Sequence, residues 1–285
     1  MDTELLRTFL QVAGTGRFRL AAEQLCLTQS AVSARIKLLE SEMGVRLFER
    51  NKHGVALTDA GNRLVSHAET ILSDWRRCCQ EVILPSDAGA MLAVGSVDSI
   101  WTMYLGKWLA LTRQVTPELA IKAEISSSDV LIRQLLDGSL DLIVVFETPQ
   151  LPQVISVALA TIPMVMVSDR RKQTVEKARA GQYIFVDWSP VFSTLHLQHF
   201  SEERSSKVQT TAGRIALDLV LAMGGTAYFP EPMVRGYLAK RQLFEVADAP
   251  RMLRPVYALH LVQRGQDRHL TQAIDRLRDV VQEDR

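Results

Sequence analysis

Apolar positions recur with helical spacing over the first eighty residues. Leu5, Leu6, Phe9, Leu10 and Val12 make one helix face, ended by Gly14 and Gly16. Leu20, Ala21, Ala22 and Leu25 predict a second, short helix turned inward. Thr28 is placed to cap a third helix through its hydroxyl. That helix runs from about Gln29 to Met43, with Val32, Ile36 and Leu39 as its buried stripe and Gly44 as its stop. Val45–Phe48 and Gly54–Leu57 then read as two short strands around the charged turn Glu49–His53, a wing. From Thr58 and Asp59 a long helix extends to about Ile83. Its apolar positions Leu64, Ala68, Ile71, Trp75, Cys78 and Val82 alternate spacings of four and three, the period of a left-handed coiled-coil seam. Such a stripe needs cover, and self-association is favoured here over packing against the chain's own N-terminal residues.

The pattern changes at Leu84-Pro85 and the short break that runs to Gly89. Beyond it, short apolar strands alternate with helices. Strands are expected at Met91–Val97, Leu119–Ile125, Leu140–Phe146, Thr161–Val167, Tyr183–Asp187, Lys207–Thr211, Gly225–Phe229 and Pro255–Val262. Helices are expected at Ile100–Arg113, Val130–Asp137, Arg170–Ala180 and Asp267–Gln282. This alternation predicts a parallel sheet with helices on both faces, in which ligands sit beyond the carboxyl ends of the strands. The chain as a whole therefore divides into an all-α N-terminal part carrying a wing (1–58), a linker helix (59–84) and an α/β domain (90–285).

A chain that is 47% hydrophobic and 23% charged suits globular domains and argues against disorder. Its net charge of +1 means that any nucleic-acid binding rests on local arrangement. Cys26, Cys78 and Cys79 contain no C-x-x-C, so neither a disulfide framework nor a zinc site is expected. Cys78 reads as packing on the seam rather than as a redox pair with Cys79. Asp2 and Glu4 stand where a secretory signal carries basic residues. No apolar run approaches the roughly 20 residues of a membrane span, so a cytoplasmic protein without a membrane partner is expected. No G-x-S-x-G, H-E-x-x-H, P-loop or G-x-G-x-x-G occurs, and no nucleophile–base set stands out, so no catalytic residue, metal or cofactor is assigned. His196 and His199, three apart on an expected helix, read as polar surface. Asp187-Trp188 reads as either a cleft lining or a buried aromatic at a strand end.

A helix, a tight turn and a second helix rich in small polar residues is the helix-turn-helix arrangement. The third helix presents Gln29, Ser30, Ser33, Arg35 and Lys37 away from its apolar stripe. Gln and Ser suit base edges, while Arg and Lys suit phosphates or guanine. Arg50 and Lys52 on the wing are placed to reach a phosphate or the minor groove. A polar helix face is ordinarily only solvated, and eight Lys+Arg against seven Asp+Glu over residues 1–60 do not decide the matter.

The run LAAEQLCLTQSAVSARIKLLESEMGVRLFERNKHGVALTDAGNRL does. It resembles the DNA-binding signature of the LysR family nearly end to end. The matching elements are Ala21-Ala22, Leu25, Thr28 through Ser33, Ile36, Leu39-Glu40, Gly44, Leu47-Phe48, Arg50, Leu57-Thr58 and Ala60-Gly61. Two places depart from it: Ser30 stands where many members have Pro, and Gly16-Arg17-Phe18 replaces Gly-Ser-Phe. The resemblance implies a winged helix-turn-helix whose third helix enters the major groove, with Thr28, Gln29, Ser30, Ser33, Arg35, Lys37, Arg50 and Lys52 as the DNA-facing set. The remaining chain resembles, more loosely, the family's two-lobed effector domain, similar to periplasmic binding proteins; Leu135 through Ile143 (LLDGSLDLI) carries the likeness. That implies a first lobe of about 90–160 and 263–285, a second of about 161–262, and hinge crossings near Thr161–Val167 and Leu259–Gln263. A small-molecule effector, unnamed by the sequence, would lie between the lobes against Ser96, Ser99, Ser127, Ser128, Phe146 and Thr226. Serines at helix starts suit an anion, and they are equally the usual caps. The family further implies a homodimer assembling to a tetramer on an imperfect inverted repeat in double-stranded DNA, with RNA polymerase left open as a partner. MDTELLRTFL, LTQSAVS and ILSDW resemble a subgroup that represses the flagellar master operon of enteric bacteria, which leaves this chain's own targets open. A solute-binding transport component would fit the second half alone.

Overall fold

The computed structural model describes residues 2–51, 54–82, 89–200 and 206–283, with the backbone alone described at 50, 51, 80 and 81. The expected break at 84–88 and the wing residue Lys52 lie outside the described residues. The chain forms two compact units, Met1–Pro85 with Leu136–Ser139, and Ser86–Leu135 with Leu140–Arg285.

In the first unit, helix α1 (Thr3–Thr15) starts where the Asp2 carboxylate accepts the Glu4 N–H at 2.9 Å, and it buries Leu5, Leu6, Phe9 and Val12. α2 (Phe18–Gln24) contributes Ala21 and Ala22 to the same core. α3 (Gln29–Met43) has the expected bounds: the Thr28 hydroxyl accepts the Ala31 N–H at 3.2 Å, and Val32, Ile36 and Leu39 are buried. The wing strands β1 (Phe48–Asn51) and β2 (Gly54–Leu57) pair antiparallel, Phe48 opposite Leu57. β1 begins later than the expected Val45. The Glu40 carboxylate takes the N–H groups of Leu47 and Phe48 at 2.8 and 3.2 Å, tying the connection to α3.

Helix α4 (Asp59–Val82) follows, its first turn pressed against the wing so closely that a Cβ at Gly61 would lie 2.2 Å from the Leu47 carbonyl oxygen. Its inward stripe corrects the expected seam. Leu64, Ala68 and Leu72 are 8%, 0% and 3% exposed and join the core of Phe9, Val32 and Leu39, with Ile71 packed at its edge. Leu64 and Ala68 are thus covered by the chain's own N-terminal helices. With 3.6 residues per turn, Trp75 (51% exposed) and Val82 (78% exposed) share the side of Leu64 and Ala68 but stand farther along the helix, where they and Cys78 are exposed to solvent.

The second unit runs β3 (Ala90–Ser96), α5 (Asp98–Ile100), a π-helical turn (Trp101–Leu105), α6 (Gly106–Val115), β4 (Leu119–Ile125), α7 (Ser128–Leu136), β5 (Leu142–Val145) and β6 (Val154–Ser168). It continues with α8 (Val175–Ala180), β7 (Ile184–Val186), α9 (Pro190–His199), β8 (Val208–Thr210), α10 (Gly213–Met223), β9 (Thr226–Pro230), α11 (Glu231–Ala239), β10 (Phe244–Glu245), β11 (Met252–Leu261), a 3₁₀ turn and α12 (Arg268–Glu283). The expected helix from Arg170 contracts to α8, which starts where Thr174 caps and the Asp248 carboxylate accepts the Val175 N–H.

The main sheet has the order β10-β6-β11-β5-β3-β4, with β9 also on β6. It is mixed rather than parallel. β3 is parallel to β4 and β5, whereas β6 and β11 run antiparallel to each other for most of their length. These two long strands are the spine of both lobes, Met252 pairing with Met164 at one end and Leu261 with Val154 at the other. β5 meets β11 at Tyr257–Leu259, while β9 and β10 meet β6 at 164–168. The chain therefore crosses between lobes near Thr161 and its partner Pro255, beside a bulge at Val256/Tyr257. The second crossing falls earlier than the expected Leu259–Gln263, because β11 is already paired to the first lobe from Tyr257. Leu92, Trp108, Val144 and Leu277 centre the first-lobe core; Val165, Val167, Leu217 and Phe229 centre the second.

Candidate functional site

Helix α3 shows solvent a stripe of Gln29, Ser30, Ala34, Lys37 and Leu38, with Ser33 half-buried among them. Its rigid seat on Val32, Ile36 and Leu39 fixes that stripe as an exposed ridge. Thr28 is exposed but occupied, its hydroxyl capping the helix and lying 2.9 Å from the Ser30 hydroxyl. Arg35 is not on the ridge: its guanidinium turns to α1 and donates to the Glu4 carboxylate at 3.4 Å and the Thr8 hydroxyl at 3.3 Å. Sequence reasoning placed it with the DNA-facing set because it is charged; its phase on the helix puts it beside α1. Exposed Leu38 (52%) and Ala34 were missed because neither is polar. The Arg50 side chain lies outside the described residues, as does Lys52. The base of the wing is pinned where Val55 donates to the Gly16 carbonyl at 3.0 Å. Gly54, at φ 144°, approaches Gly16 so closely that a Cβ would lie 2.6 Å from its oxygen and 3.6 Å from Arg17 Cγ. This brings the family-departing Arg17, which is exposed, beside the wing.

On α4, Trp75 and Cys78 line an open groove of about 520 Å³ with Asp2, Thr3, Ile71 and Asp74. Cys26, Cys78 and Cys79 are exposed free thiols.

In the second unit the register of β3 aligns Ser96 with Ile125 of β4 and Val144 of β5. The carboxyl ends of three parallel strands therefore share one edge, with Ser99, Ser127, Ser128 and Phe146 just beyond it. Ser96 itself is fully buried and donates its hydroxyl to the Val144 carbonyl, so it stitches the sheet rather than facing the edge. Ser99 is buried in the first helical turn, Ser128 is half-buried, and Ser127 is exposed, with its carbonyl accepting the Leu131 N–H. Thr226 does not join them. It is buried, paired opposite Ser168 at the end of β6 away from the lobe crossing. The end of β9 nearest the crossing is Pro230, opposite Met164.

What the second lobe brings toward the first is Ser189, just after β7. Arg254 of β11 donates through Nη2 to the Glu147 carboxylate at 2.7 Å and the Ser189 hydroxyl at 3.1 Å, and its guanidinium lies 3.8 Å above the Phe146 ring. Burial pulls the Arg254 pKa down and the Glu147 carboxylate opposes it. Neither Arg254 nor Glu147 was singled out from the sequence; the available signal was an arginine next to Pro255 at the head of an apolar run. Asp187 is exposed and accepts the Ser193 hydroxyl, while Trp188 donates to the Tyr228 carbonyl and packs on Gly213.

His196 is not surface. It is 7% exposed, 2.8 Å from the Tyr183 hydroxyl, and ringed by Phe185, Phe192, Phe200 and Tyr228. Burial, with the positive charges of Arg179 and His199, lowers its pKa to about 4. Burial likewise pushes the Tyr183 and Tyr228 hydroxyls up. Among the described residues no three His, Cys, Asp or Glu side chains group as a metal site, and no helix is long and apolar enough to cross a membrane.

Residues 3–62 match the family described as "Bacterial regulatory helix-turn-helix protein, lysR family", and residues 86–282 match the "LysR substrate binding domain". The HTH-type transcriptional regulator HdfR of Yersinia enterocolitica is 34% identical over 283 residues, covering 96% of this chain and 95% of the relative. HdfR of Yersinia pestis (strain Pestoides F) matches over the same extent. Among solved structures, ArgP from Mycobacterium tuberculosis aligns with a TM-score of 0.59 at 20% identity, covering 99% of this chain and 97% of that one. CrgA, a LysR-type transcriptional regulator from Neisseria meningitidis, aligns at 0.57 and 19% identity, covering 99% of each chain. The helix-turn-helix unit, the two-lobed unit and these likenesses agree: the chain belongs to the LysR family of transcriptional regulators, with a DNA-binding domain and an effector-binding domain.

Proposed function

We propose that this regulator binds an imperfect inverted repeat in double-stranded DNA as a homodimer, and that dimers assemble to a tetramer. Each recognition helix α3 enters a major groove through Gln29, Ser30, Ser33 and Lys37, and the wing carries Arg50 and Lys52 to the adjacent backbone or minor groove. The observation that carries this reading is the exposed polar ridge of α3, held rigidly by a buried stripe and lying in a matched family segment. Trp75, Cys78 and Val82, exposed along α4, supply the self-association face. Two-fold symmetry then sets the half-sites about 34–36 Å apart or a multiple of it.

A small-molecule effector binds between the two lobes at the edge marked by Ser99, Ser127, Ser128 and Phe146. Effector and operator are coupled because the effector favours one of two lobe arrangements. The protein acts in the cytoplasm, as a regulator rather than an enzyme, and RNA polymerase is its partner at the promoter.

The test is a polarisation assay with DNA from the chain's own upstream intergenic region and a scrambled control, over a salt series. Specific binding that outlasts the control as salt rises supports the reading. Equal, steeply salt-sensitive binding to both reduces it to phosphate attraction, and no binding at low salt overturns it.

A further inference from the structure

Arg254 is a cation folded into the sheet. It sits on β11 opposite Ile162 of β6 and is 2% exposed. Its neighbours come from both lobes: Phe146 and Glu147 follow β5 of the first, and Ser189 caps α9 of the second. A guanidinium keeps its charge at neutral pH, so a partner of opposite charge is needed at this depth.

The partner present uses only part of what the guanidinium offers. Glu147 contacts Nη2 through one oxygen. Nη1 is buried and has no hydrogen-bond partner among the described residues. The planar fork of an arginine matches both oxygens of a carboxylate at once. Phe146 covers one face of the guanidinium by cation–π contact, so a further acceptor would meet it at its N–H edge, which is buried while Glu147 is in place. Arg254 is fixed by strand pairing, whereas Glu147 lies beyond the end of β5 with a side chain 29% exposed. Of the two, Glu147 is the one placed to move aside.

We infer that Arg254 is an anion receptor between the lobes, and that Glu147 and the carboxylate of an acidic effector are its alternative occupants, the effector engaging Nη1 and Nη2 together. This rests on the interlobe effector site proposed above and gives that effector a chemical class. It also supplies the coupling: displacing Glu147 releases the segment after β5 from a strand shared by both lobes, so occupancy and lobe arrangement change together.

The inference is tested by chemical rescue in the full-length protein. Glu147→Ala lowers the thermal midpoint by several degrees, since it leaves a buried charge uncompensated. Acetate or propionate restores much of that loss, and acetamide or propionamide at the same concentration does not. Replacing Arg254 with Met in the same chain abolishes the difference between acid and amide. Glu147→Gln keeps the shape and removes the charge; it serves where the alanine variant fails to fold, and it shows the same acid-over-amide shift. The inference is overturned if carboxylates and amides act alike on both variants, or if the carboxylate shift survives Arg254→Met. The readout does not involve operator DNA. Failure here with operator binding intact removes the receptor alone, while loss of operator binding in the unmodified protein removes the regulator reading.

Discussion

The Arg35 guanidinium lies 3.4 Å from the Glu4 carboxylate and so clips the recognition helix to the first helix of its own domain. The contact spans 31 positions in sequence and is only partly shielded from solvent. Its consequence concerns positioning: a residue that by charge belongs to a DNA contact is instead engaged with α1, adding to the seat that Val32, Ile36 and Leu39 give α3.

Arg35→Ala is therefore expected to weaken operator binding through the domain rather than through lost phosphate attraction. Partly exposed pairs of this kind are worth about 0.2–1 kcal/mol. Urea unfolding should show a loss of that size, with the salt dependence of DNA binding unchanged. A shallower salt dependence would return Arg35 to the DNA surface.

Lys37 should behave in the opposite way. It is exposed on the ridge of α3, and Lys37→Ala removes a cation without touching the core. The slope of log affinity against log salt should fall by about 1, uniformly across operator variants, while stability stays within about 0.5 kcal/mol of the original. Loss confined to one base position would instead make Lys37 a base reader.

The two halves of α4 separate the domain core from the proposed self-association face. Trp75→Asp places a charge on a side chain that is 51% exposed; sedimentation at micromolar concentration should show a smaller assembly than the unmodified protein, with unchanged far-ultraviolet circular dichroism. Ala68→Asp buries a charge in a position that is 0% exposed and should unfold the first unit instead. A Trp75→Asp protein that keeps the mass of the unmodified assembly would refute the proposed face.

His196 should make the effector domain sensitive to acid. Its pKa is lowered to about 4 from an ordinary 6.5, so the unfolded chain binds a proton that the folded chain refuses. Stability from this group is complete above pH 6.5 and is lost as pH falls from 6.5 toward 4. The full loss is on the order of 3 kcal/mol, at 1.36 kcal/mol per unit. Relative to His196→Gln, which does not titrate, the unmodified protein should lose stability of that order as pH falls from 7.5 to 4.5. Parallel curves over that range would remove His196 as the cause.

Local chemistry determined the helices of the N-terminal domain. The bounds Gln29–Met43 follow from a capping threonine, an apolar stripe and a stopping glycine, each acting within a few turns of the backbone. The strands β3, β4 and β5, and with them the edge holding Ser99, Ser128 and Phe146, were legible for the same reason: short apolar runs separated by helices admit few arrangements. The family signature added the DNA-binding role, which charge could not. Tertiary structure decided the rest. A stripe on α4 has no label for what covers it, and Leu64 and Ala68 found their cover in their own domain. A sequence spacing of three does not say whether His196 faces solvent or a ring of aromatics. Thr226 looked equivalent to the first-lobe residues until the antiparallel register of β6 and β9 set it at the far end. Most of all, Arg254 and Glu147 are 107 positions apart. Their contact exists because two long strands pair across both lobes, and that pairing is set by long-range sheet register, which no local pattern of residues encodes.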